Sequence, residues 1–153
     1  MKTSDELYEK VNAFIDKLPY NREPKSLYEP IKYVLSLGGK RILAIDLYLR
    51  HASLSKLVDN PKQGLTSYLC GATEDIDSVI LHNQFDGSVD ILPVGVVPPN
   101  PTELLQSEVM GKLFENLKKE YDVILVDCPP IDIVADTNIV KKYADVSLFV
   151  VRV

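Results

Sequence analysis

Two aspartates each end a short apolar run, and together they could hold a divalent cation. Asp46 ends the run ILAID at 42–46, and Asp127 ends the run VILVD at 123–127. Runs of this kind predict strands that are buried on both faces of a parallel sheet. The carboxyl ends of parallel strands share one edge, where open α/β folds bind ligands. Two carboxylates at that edge would hold Mg²⁺, directly or through water, and one could accept a proton from a hydroxyl group.

Each aspartate taken alone has a simpler interpretation. An Asp directly after a strand often caps the following turn with its own side chain, and for either residue singly we favour that role. Both occur together, however, and the segment Cys128-Pro129-Pro130 follows the second. The pair therefore indicates a functional site, with turn capping as the alternative.

Alternating strands and helices must position these aspartates. We expect strands at 41–46, 89–94, 122–127 and 146–152. We expect helices between them at 64–71, 75–81, 101–120 and 136–143. In the helix at 101–120, the predicted buried stripe is Leu105, Val109, Leu113 and Leu117. This order predicts a three-layer α/β fold with a mostly parallel sheet covered by helices on both faces.

The chain changes character near residue 41. Residues 1–41 carry eight basic and six acidic side chains, whereas residues 42–153 carry nine basic and sixteen acidic ones. Capping-box spacings at Thr3/Glu6 and Ser26/Glu29 each precede an amphipathic pattern of helical period. The sequence therefore predicts a helical N-terminal segment over 1–41 and an α/β domain over 42–153.

Composition excludes several classes of protein. The formal charge is −5 and 46% of the residues are hydrophobic, which argues against a general nucleic-acid binder and against disorder. Cys70 and Cys128 form neither a metal-ligand spacing nor a disulfide framework. No apolar run approaches the roughly 18 residues that a membrane helix needs. We therefore expect a cytoplasmic protein with no membrane span of its own.

From about Ser36 onwards the chain resembles the cytoplasmic domain of bacterial tyrosine kinases of the exopolysaccharide export type. The matching runs are LSLGGKRILAID, PKQGLTSYLCG, DILPVGVVPPNPTELLQSE, YDVILVDCPP and VADTNIVKKYADVSLFVVRV. The resemblance implies a P-loop NTPase type of fold, with ATP and Mg²⁺ as cofactors. It implies that tyrosines are phosphorylated, that capsule or exopolysaccharide synthesis is the setting, and that the partners are a membrane polysaccharide co-polymerase or sibling kinase subunits. Association with a membrane would then occur only through a partner.

The same resemblance implies roles for individual residues. Asp46 matches the first aspartate of the family's second Walker-type motif, which assists proton removal and organises Mg²⁺. Arg50 matches the arginine of that motif, a cofactor-binding position. Asp127 matches the Walker B aspartate, which orients water on the metal. Tyr48 stands where the family has a second aspartate.

One departure from the family bears directly on activity. The family's phosphate loop is Gly-rich, ends in Lys-Ser or Lys-Thr and follows its own strand, and this chain contains no such loop. The expected fold is therefore a P-loop NTPase type that lacks the phosphate-loop strand, and we expect impaired catalysis. The alternative is a non-catalytic α/β interaction domain.

Residues 1–41 resemble the N-terminus of a bacterial polyprenyl diphosphate synthase. The run PKSLYEPIKYVLSLGGKR carries the Gly-Gly-Lys-Arg motif that grips a diphosphate in that family, which makes Gly39, Lys40 and Arg41 an alternative diphosphate-binding site. A solvated turn is the simpler interpretation of Lys40 and Arg41. The two resemblances meet at SLGGKR, so we hypothesise that the chain joins two fragments there, which a genomic read across codons 30–50 would test.

Overall fold

A computed structural model describes residues 39–84, 89–129 and 136–147. The strands are β1 (Ile42–Asp46), β2 (Leu81–Asn83), β3 (Val89–Leu92) and β4 (Val123–Asp127). The α-helices are α1 (Leu65–Leu69), α2 (Pro101–Gln106), α3 (Glu108–Glu120) and α4 (Asp136–Val140). Short 3-10 helices occur at Ser55–Val58, Asp77–Val79 and Lys141–Tyr143. The helices predicted before residue 39 lie outside the described residues.

The sheet has the order β2-β3-β1-β4. Strand β1 lies between β3 and β4 and is parallel to both, as the sequence predicts, whereas β2 runs antiparallel to β3 at one edge. The prediction of a helix at 75–81 was wrong except for a 3-10 turn at Asp77–Val79, and β2 begins at Leu81. A three-residue edge strand is too short to show a period in the sequence. The sheet is therefore mixed, with a parallel centre.

Strand β1 is buried on both faces, so its side chains contribute alternately to two cores. Leu43 and Ile45 pack into the larger core, which includes side chains of α1, α2 and α3. Ile42 and Ala44 pack into a smaller core on the opposite face with Leu54 and residues of β3. Successive side chains of a strand point to opposite faces, and both faces of β1 are buried. The strand is therefore encoded by a continuous apolar run rather than by an alternating one.

The helix predicted over 101–120 is broken at Ser107. This residue has extended backbone angles (φ −65°, ψ 153°), and its hydroxyl accepts a hydrogen bond from the backbone N–H of Met110, so it begins α3 as an N-cap. The break ends the single helical period on which the predicted stripe depended. Val109 is consequently 40% exposed, and Met110 and Phe114 take the buried positions instead.

Strand β4 is the least buried of the three parallel strands. All five of its residues are half-buried, and within the described residues it pairs on one side only, with β1. Val146 and Ser147, the described part of the strand predicted at 146–152, form no strand. In the part of the chain that the structure describes, no helix is both long and apolar enough to cross a membrane.

Candidate functional site

Asp46 and Asp127 lie side by side at the carboxyl ends of neighbouring parallel strands. They are direct register partners in the β1–β4 pairing, and the backbone carbonyl of Asp127 accepts a hydrogen bond from the N–H of Leu47 at 2.8 Å. The structure thus brings together the two carboxylates that the sequence predicts to meet. The sequence predicts only that both carboxylates lie at the same edge of the sheet, because both strands are parallel. The observed register adds that the two aspartates are directly opposite each other.

Asp46 is completely buried and held by three hydrogen bonds. Its Oδ1 accepts from the backbone N–H of Tyr48 at 3.1 Å. Its Oδ2 accepts from the N–H of Ser55 at 2.8 Å and from the Ser55 hydroxyl at 2.7 Å. A carboxylate has about four acceptor positions, so one position, on Oδ1, is left for another donor or a cation. Asp46 therefore caps its own turn and also fixes a loop nine residues away.

Ser55 is a site residue that the sequence analysis missed. It is buried, and its hydroxyl accepts a hydrogen bond from the N–H of Val94 at 2.9 Å while donating to Asp46. Through this one hydroxyl, the carboxylate of β1 is linked to the chain that leaves β3. No motif signals this contact, because a serine in a polar-looking loop is ordinary.

Among the described residues, the carboxylate of Asp127 lacks the hydrogen bonds that hold the carboxylate of Asp46. The Oδ2 of Asp127 is buried and accepts no hydrogen bond from any described group. Burial, and then the negative charge of Asp46, raise the pKa of Asp127 to about 7. Buried polar atoms are nearly always paired, so an orphaned carboxylate oxygen needs a proton, a water or a cation. The carboxylate that lacks a partner is therefore the one beside which a cation would be stabilised.

Cys128 follows Asp127 and is unsuited to nucleophilic chemistry. Burial, and then the charge of Asp127, raise the pKa of the Cys128 thiol to about 11. The thiolate is the reactive form of cysteine, so this side chain is protonated and inert at neutral pH. Both cysteines are free thiols.

The donor set fits a magnesium ion held with water, and not a protein cage. Among the described residues no group of three His, Cys, Asp or Glu side chains could hold a metal. Mg²⁺ keeps several waters and is commonly bound through one or two carboxylates together with phosphate oxygens. Asp127 through its orphaned Oδ2, and Asp46 through the remaining position on Oδ1, have the oxygen chemistry for that mode of binding.

Arg50 and Tyr48 lie in the loop that follows β1. Arg50 is exposed and lines a cavity with residues of the chain that follows β3. Tyr48 is half-buried, and its ring meets that of His51 edge to face at 5.1 Å between centroids. A phenol in this position offers no carboxylate to a metal ion, so the acids at this site among the described residues are Asp46 and Asp127.

The alternative diphosphate residues lie at the opposite end of β1. Gly39, Lys40 and Arg41 precede the strand, whereas the carboxylate pair follows it. Lys40 forms an ion pair with Asp122 at 3.8 Å, and the guanidinium of Arg41 lies 5.1 Å from the ring centre of Tyr121. These contacts hold the residues that precede β1 against those that precede β4. The diphosphate role stays a prediction.

A second polar cluster joins β2, β3 and the residue before β4. His82 Nδ1 lies 3.0 Å from Asp90 Oδ2, and His82 Nε2 lies 3.0 Å from Asp77 Oδ1. The Tyr121 hydroxyl donates to Asp90 Oδ2 at 2.8 Å. The hydrogen bond to Asp90 is the largest cause that raises the pKa of His82, ahead of the opposing effect of burial. No spacing or motif in the sequence indicates that this histidine has partners.

The comparisons with known proteins agree with the fold. No protein-family model matches the chain. The chain is 39% identical over 120 residues to the tyrosine-protein kinase wzc of Salmonella typhimurium, a match that covers 78% of this chain and 16% of that protein. It superposes on the kinase domain of the Escherichia coli tyrosine kinase ETK with a TM-score of 0.70 and 31% identity, covering 80% of this chain and 49% of that one.

A more distant match has the same type of fold. The septum site-determining protein MinD of Pyrococcus horikoshii, solved with Mg-ADP, matches with a TM-score of 0.50 and 32% identity over 62% of this chain and 39% of that one. The fold is therefore an α/β fold of the P-loop NTPase type, as the sequence predicts. The chain spans about 16% of the length of the curated relatives that it matches, and over that stretch it is similar in sequence and fold to bacterial tyrosine-protein kinases.

Proposed function

We propose that this chain is part of an ATP-dependent bacterial protein-tyrosine kinase of exopolysaccharide or capsule biosynthesis, and that in its present form it binds Mg·ATP poorly. The observation that supports a kinase-type site is the in-register pair Asp46 and Asp127, with an orphaned oxygen on the second. Sibling kinase subunits or a membrane polysaccharide co-polymerase would be its partners. The cytoplasm would be its location, and the division into 1–41 and 42–153 is part of the same proposal.

The two aspartates would divide the work at this site. Asp127 would hold Mg²⁺ or one of its waters through the oxygen that has no other partner. Asp46 is fixed by Ser55 and Tyr48, so its remaining acceptor position on Oδ1 has a defined direction for a water or an incoming hydroxyl proton. Bound Mg²⁺ would neutralise phosphate charge next to these carboxylates. Arg50 would serve as a cofactor-binding residue.

The reason for weak binding lies in the groups that the chain lacks. Phosphate loops surround the nucleotide with backbone N–H groups, a helix N-terminus and a lysine, and no segment of this sequence supplies that motif. Tyr48 replaces an acid that would help to organise the metal. Each charge-assisted contact is worth about 1.5–3 kcal/mol, so the loss of several would weaken a micromolar affinity past about 1 mM.

Calorimetric titration with Mg·ATP tests this proposal. We expect a Kd weaker than about 1 mM and no autophosphorylation. Asp127→Asn is the matched variant, because it keeps the shape and removes the charge. Micromolar binding that disappears in Asp127→Asn would show that a working site survives and would contradict the proposed impairment. A melting curve with Mg²⁺ alone gives a second readout, since metal held by Asp127 should stabilise the parent chain more than the variant at pH 8.

A non-catalytic interaction domain is the second candidate. The observation that favours it is that three of about four acceptor positions on Asp46 are already used within the fold, as in a purely structural cap. Under this alternative, Mg²⁺ would stabilise the parent chain and Asp127→Asn equally. The third candidate, a diphosphate-binding remnant, has the least support, because Lys40 is paired with Asp122 and Arg41 packs on Tyr121. Isopentenyl diphosphate binding that depends on Lys40 and Arg41 would favour it.

A further inference from the structure

His82 lies on the edge strand β2, and each of its ring nitrogens faces a different carboxylate. Nδ1 lies 3.0 Å from Oδ2 of Asp90 on β3, and Nε2 lies 3.0 Å from Oδ1 of Asp77, which begins the 3-10 turn before β2. An ionised carboxylate only accepts hydrogen bonds, and a neutral imidazole has a single N–H. Only the imidazolium, with an N–H on both nitrogens, satisfies both contacts. The observed geometry is therefore that of the protonated ring.

The two carboxylates are held to different degrees. The side chain of Asp90 is 18% exposed, and it also accepts hydrogen bonds from the N–H of Asn83 at 2.9 Å and from the hydroxyl of Tyr121 at 2.8 Å. The side chain of Asp77 is 70% exposed. An unpaired polar group costs more when it is buried, so a neutral ring would keep its N–H on Nδ1, facing Asp90. The lone pair of Nε2 would then face the carboxylate of Asp77, and that contact would be lost.

The contact with Asp77 fixes an exposed loop to the edge of the sheet. Residues 74–78, here called the 74–78 loop, are exposed or half-buried, whereas the next two residues, Val79 and Ile80, are buried in the larger core. Among the described residues, the other hydrogen bonds of the loop stay within residues 73–80. The imidazole is therefore the polar contact through which the loop is attached to β2.

Charge acts in the same direction as the hydrogen bonds. The 74–78 loop carries three acids, Glu74, Asp75 and Asp77. The protonated imidazole places a positive charge between the carboxylates of Asp77 and Asp90. Loss of the proton removes that charge and leaves two carboxylates that repel each other. Both effects favour separation of the loop from the strand when the ring is neutral.

We propose that His82 is a pH-dependent switch: the protonated ring holds the 74–78 loop against β2, and the neutral ring releases it. The titratable and charged groups around the imidazole, among the described residues, are Asp77, Asp90, the Tyr121 hydroxyl and, over the Tyr121 ring, Arg41. The hydrogen bond to Asp90 is the largest cause that raises the pKa of His82, ahead of the opposing effect of burial. The loop is therefore held below pH 6.5, the ordinary pKa, and released as pH rises through the raised value. The switch requires neither a nucleotide nor the aspartate pair, so it does not depend on the proposed function.

Amide hydrogen exchange of the full chain, followed by mass spectrometry at about pH 6 and about pH 8.5, tests the switch. The rates are corrected for the intrinsic pH dependence of amide exchange. We expect peptides that contain the 74–78 loop to lose about threefold in protection at the higher pH, the scale of an exposed ion pair. Protection that does not fall in the parent chain would overturn the proposal.

Asp77→Asn is the variant that isolates the switch. The introduced amide can accept from a protonated Nε2 and donate to a neutral one, so the loop should stay held at both pH values and the change in protection should disappear. Glu74→Gln is the matched control, because it removes the same charge from an exposed position in the same loop and should keep the change. A change that persists in Asp77→Asn, or that disappears equally in Glu74→Gln, would overturn the proposal.

Discussion

The hydroxyl of Ser55 lies 2.7 Å from Oδ2 of Asp46, and this contact ties the central strand of the sheet to the loops beside it. The same hydroxyl accepts from the N–H of Val94. A buried carboxylate, a serine and a backbone amide thus form one chain of hydrogen bonds across β1 and β3. The direction is fixed, because the amide can only donate and the carboxylate only accepts.

Ser55→Ala should destabilise the protein. The change removes the hydroxyl that donates to Asp46 and leaves the N–H of Val94 without its acceptor, in a place where water has no access. We expect the free energy of unfolding to fall by roughly 2–4 kcal/mol, because each unpaired buried group costs about 1–3 kcal/mol. Urea unfolding measures this. Ser53→Ala, at an exposed position in the same loop, should change stability by less than about 0.5 kcal/mol; equal effects would contradict the hydrogen-bond chain.

Asp127→Asn should stabilise the protein at alkaline pH. Because the folded pKa is raised to about 7 from an ordinary 3.8, ionising Asp127 costs the folded state more than the unfolded one. The penalty is absent below about pH 4, grows as pH rises and is complete above about pH 7. The variant should therefore be more stable than the parent at pH 8, by a few kcal/mol, and the difference should shrink towards pH 4. A variant that is less stable than the parent at pH 8 would show that the carboxylate has a partner in solution.

His82→Gln should remove a pH dependence of the same sign, in a higher range of pH. The pKa of His82 is raised, above all by its hydrogen bond to Asp90, so this residue contributes stability below its unfolded pKa of 6.5 that is lost as pH rises through the folded pKa. The groups that face the imidazole are Asp77 and Asp90, with the hydroxyl of Tyr121 on Asp90. The side chain is 40% exposed, so we expect an effect of no more than about 1 kcal/mol.

Thermal melts of the parent and of His82→Gln across pH 5.5–8.5 measure that difference, in steps of about half a unit. The parent should lose stability relative to the variant with rising pH. His51→Gln is the matched control, because His51 is exposed and forms no ion pair among the described residues. A control that removes as much pH dependence as His82→Gln would contradict the role of the cluster.

Gly95→Ala should be more damaging than Gly71→Ala. Both glycines have left-handed backbones (φ +83° and +73°), so alanine costs about 1–2 kcal/mol at either position. At Gly95 the added Cβ would also lie 2.8 Å from the nitrogen of Gly64 and 2.9 Å from Oγ1 of Thr66, whereas at Gly71 it would meet nothing within 4 Å. Unfolding free energies should separate the two variants by more than about 1 kcal/mol. Equal losses would mean that the two loops do not touch in solution.

The position of the carboxylate pair could be predicted from the sequence because it follows from one rule about parallel strands. A buried strand that ends in an acid places that acid at the carboxyl edge, and β1 and β4 both obey the rule. The packing of β1 on both faces followed from the same apolar run. These features depend on the local pattern alone, and the pattern was strong.

Other features depend on contacts between distant residues or left only a weak local signal. The bond from Ser55 to Val94 spans 39 positions, and the cluster around His82 depends on β2 pairing with β3. The break at Ser107 had a weak signal, a serine three residues before the amide that it caps, but the flanking apolar spacing favoured one continuous helix. Tertiary contacts determine these features, and helix propensity and hydrophobic periodicity do not report such contacts.

The close approach of Gly64 and Gly95 also bears on where local opening of the domain would begin. Backbone touches backbone there, so the segments that follow β1 and β3 move as one body, and Ser55 fixes Asp46 to both. Strand β4 is half-buried throughout, and its sheet partner among the described residues is β1. Local opening would begin on the β4 side. Asp127 would then reach solvent while Asp46 stays enclosed, so the two carboxylates, though in register, would exchange protons and ions with water on different timescales.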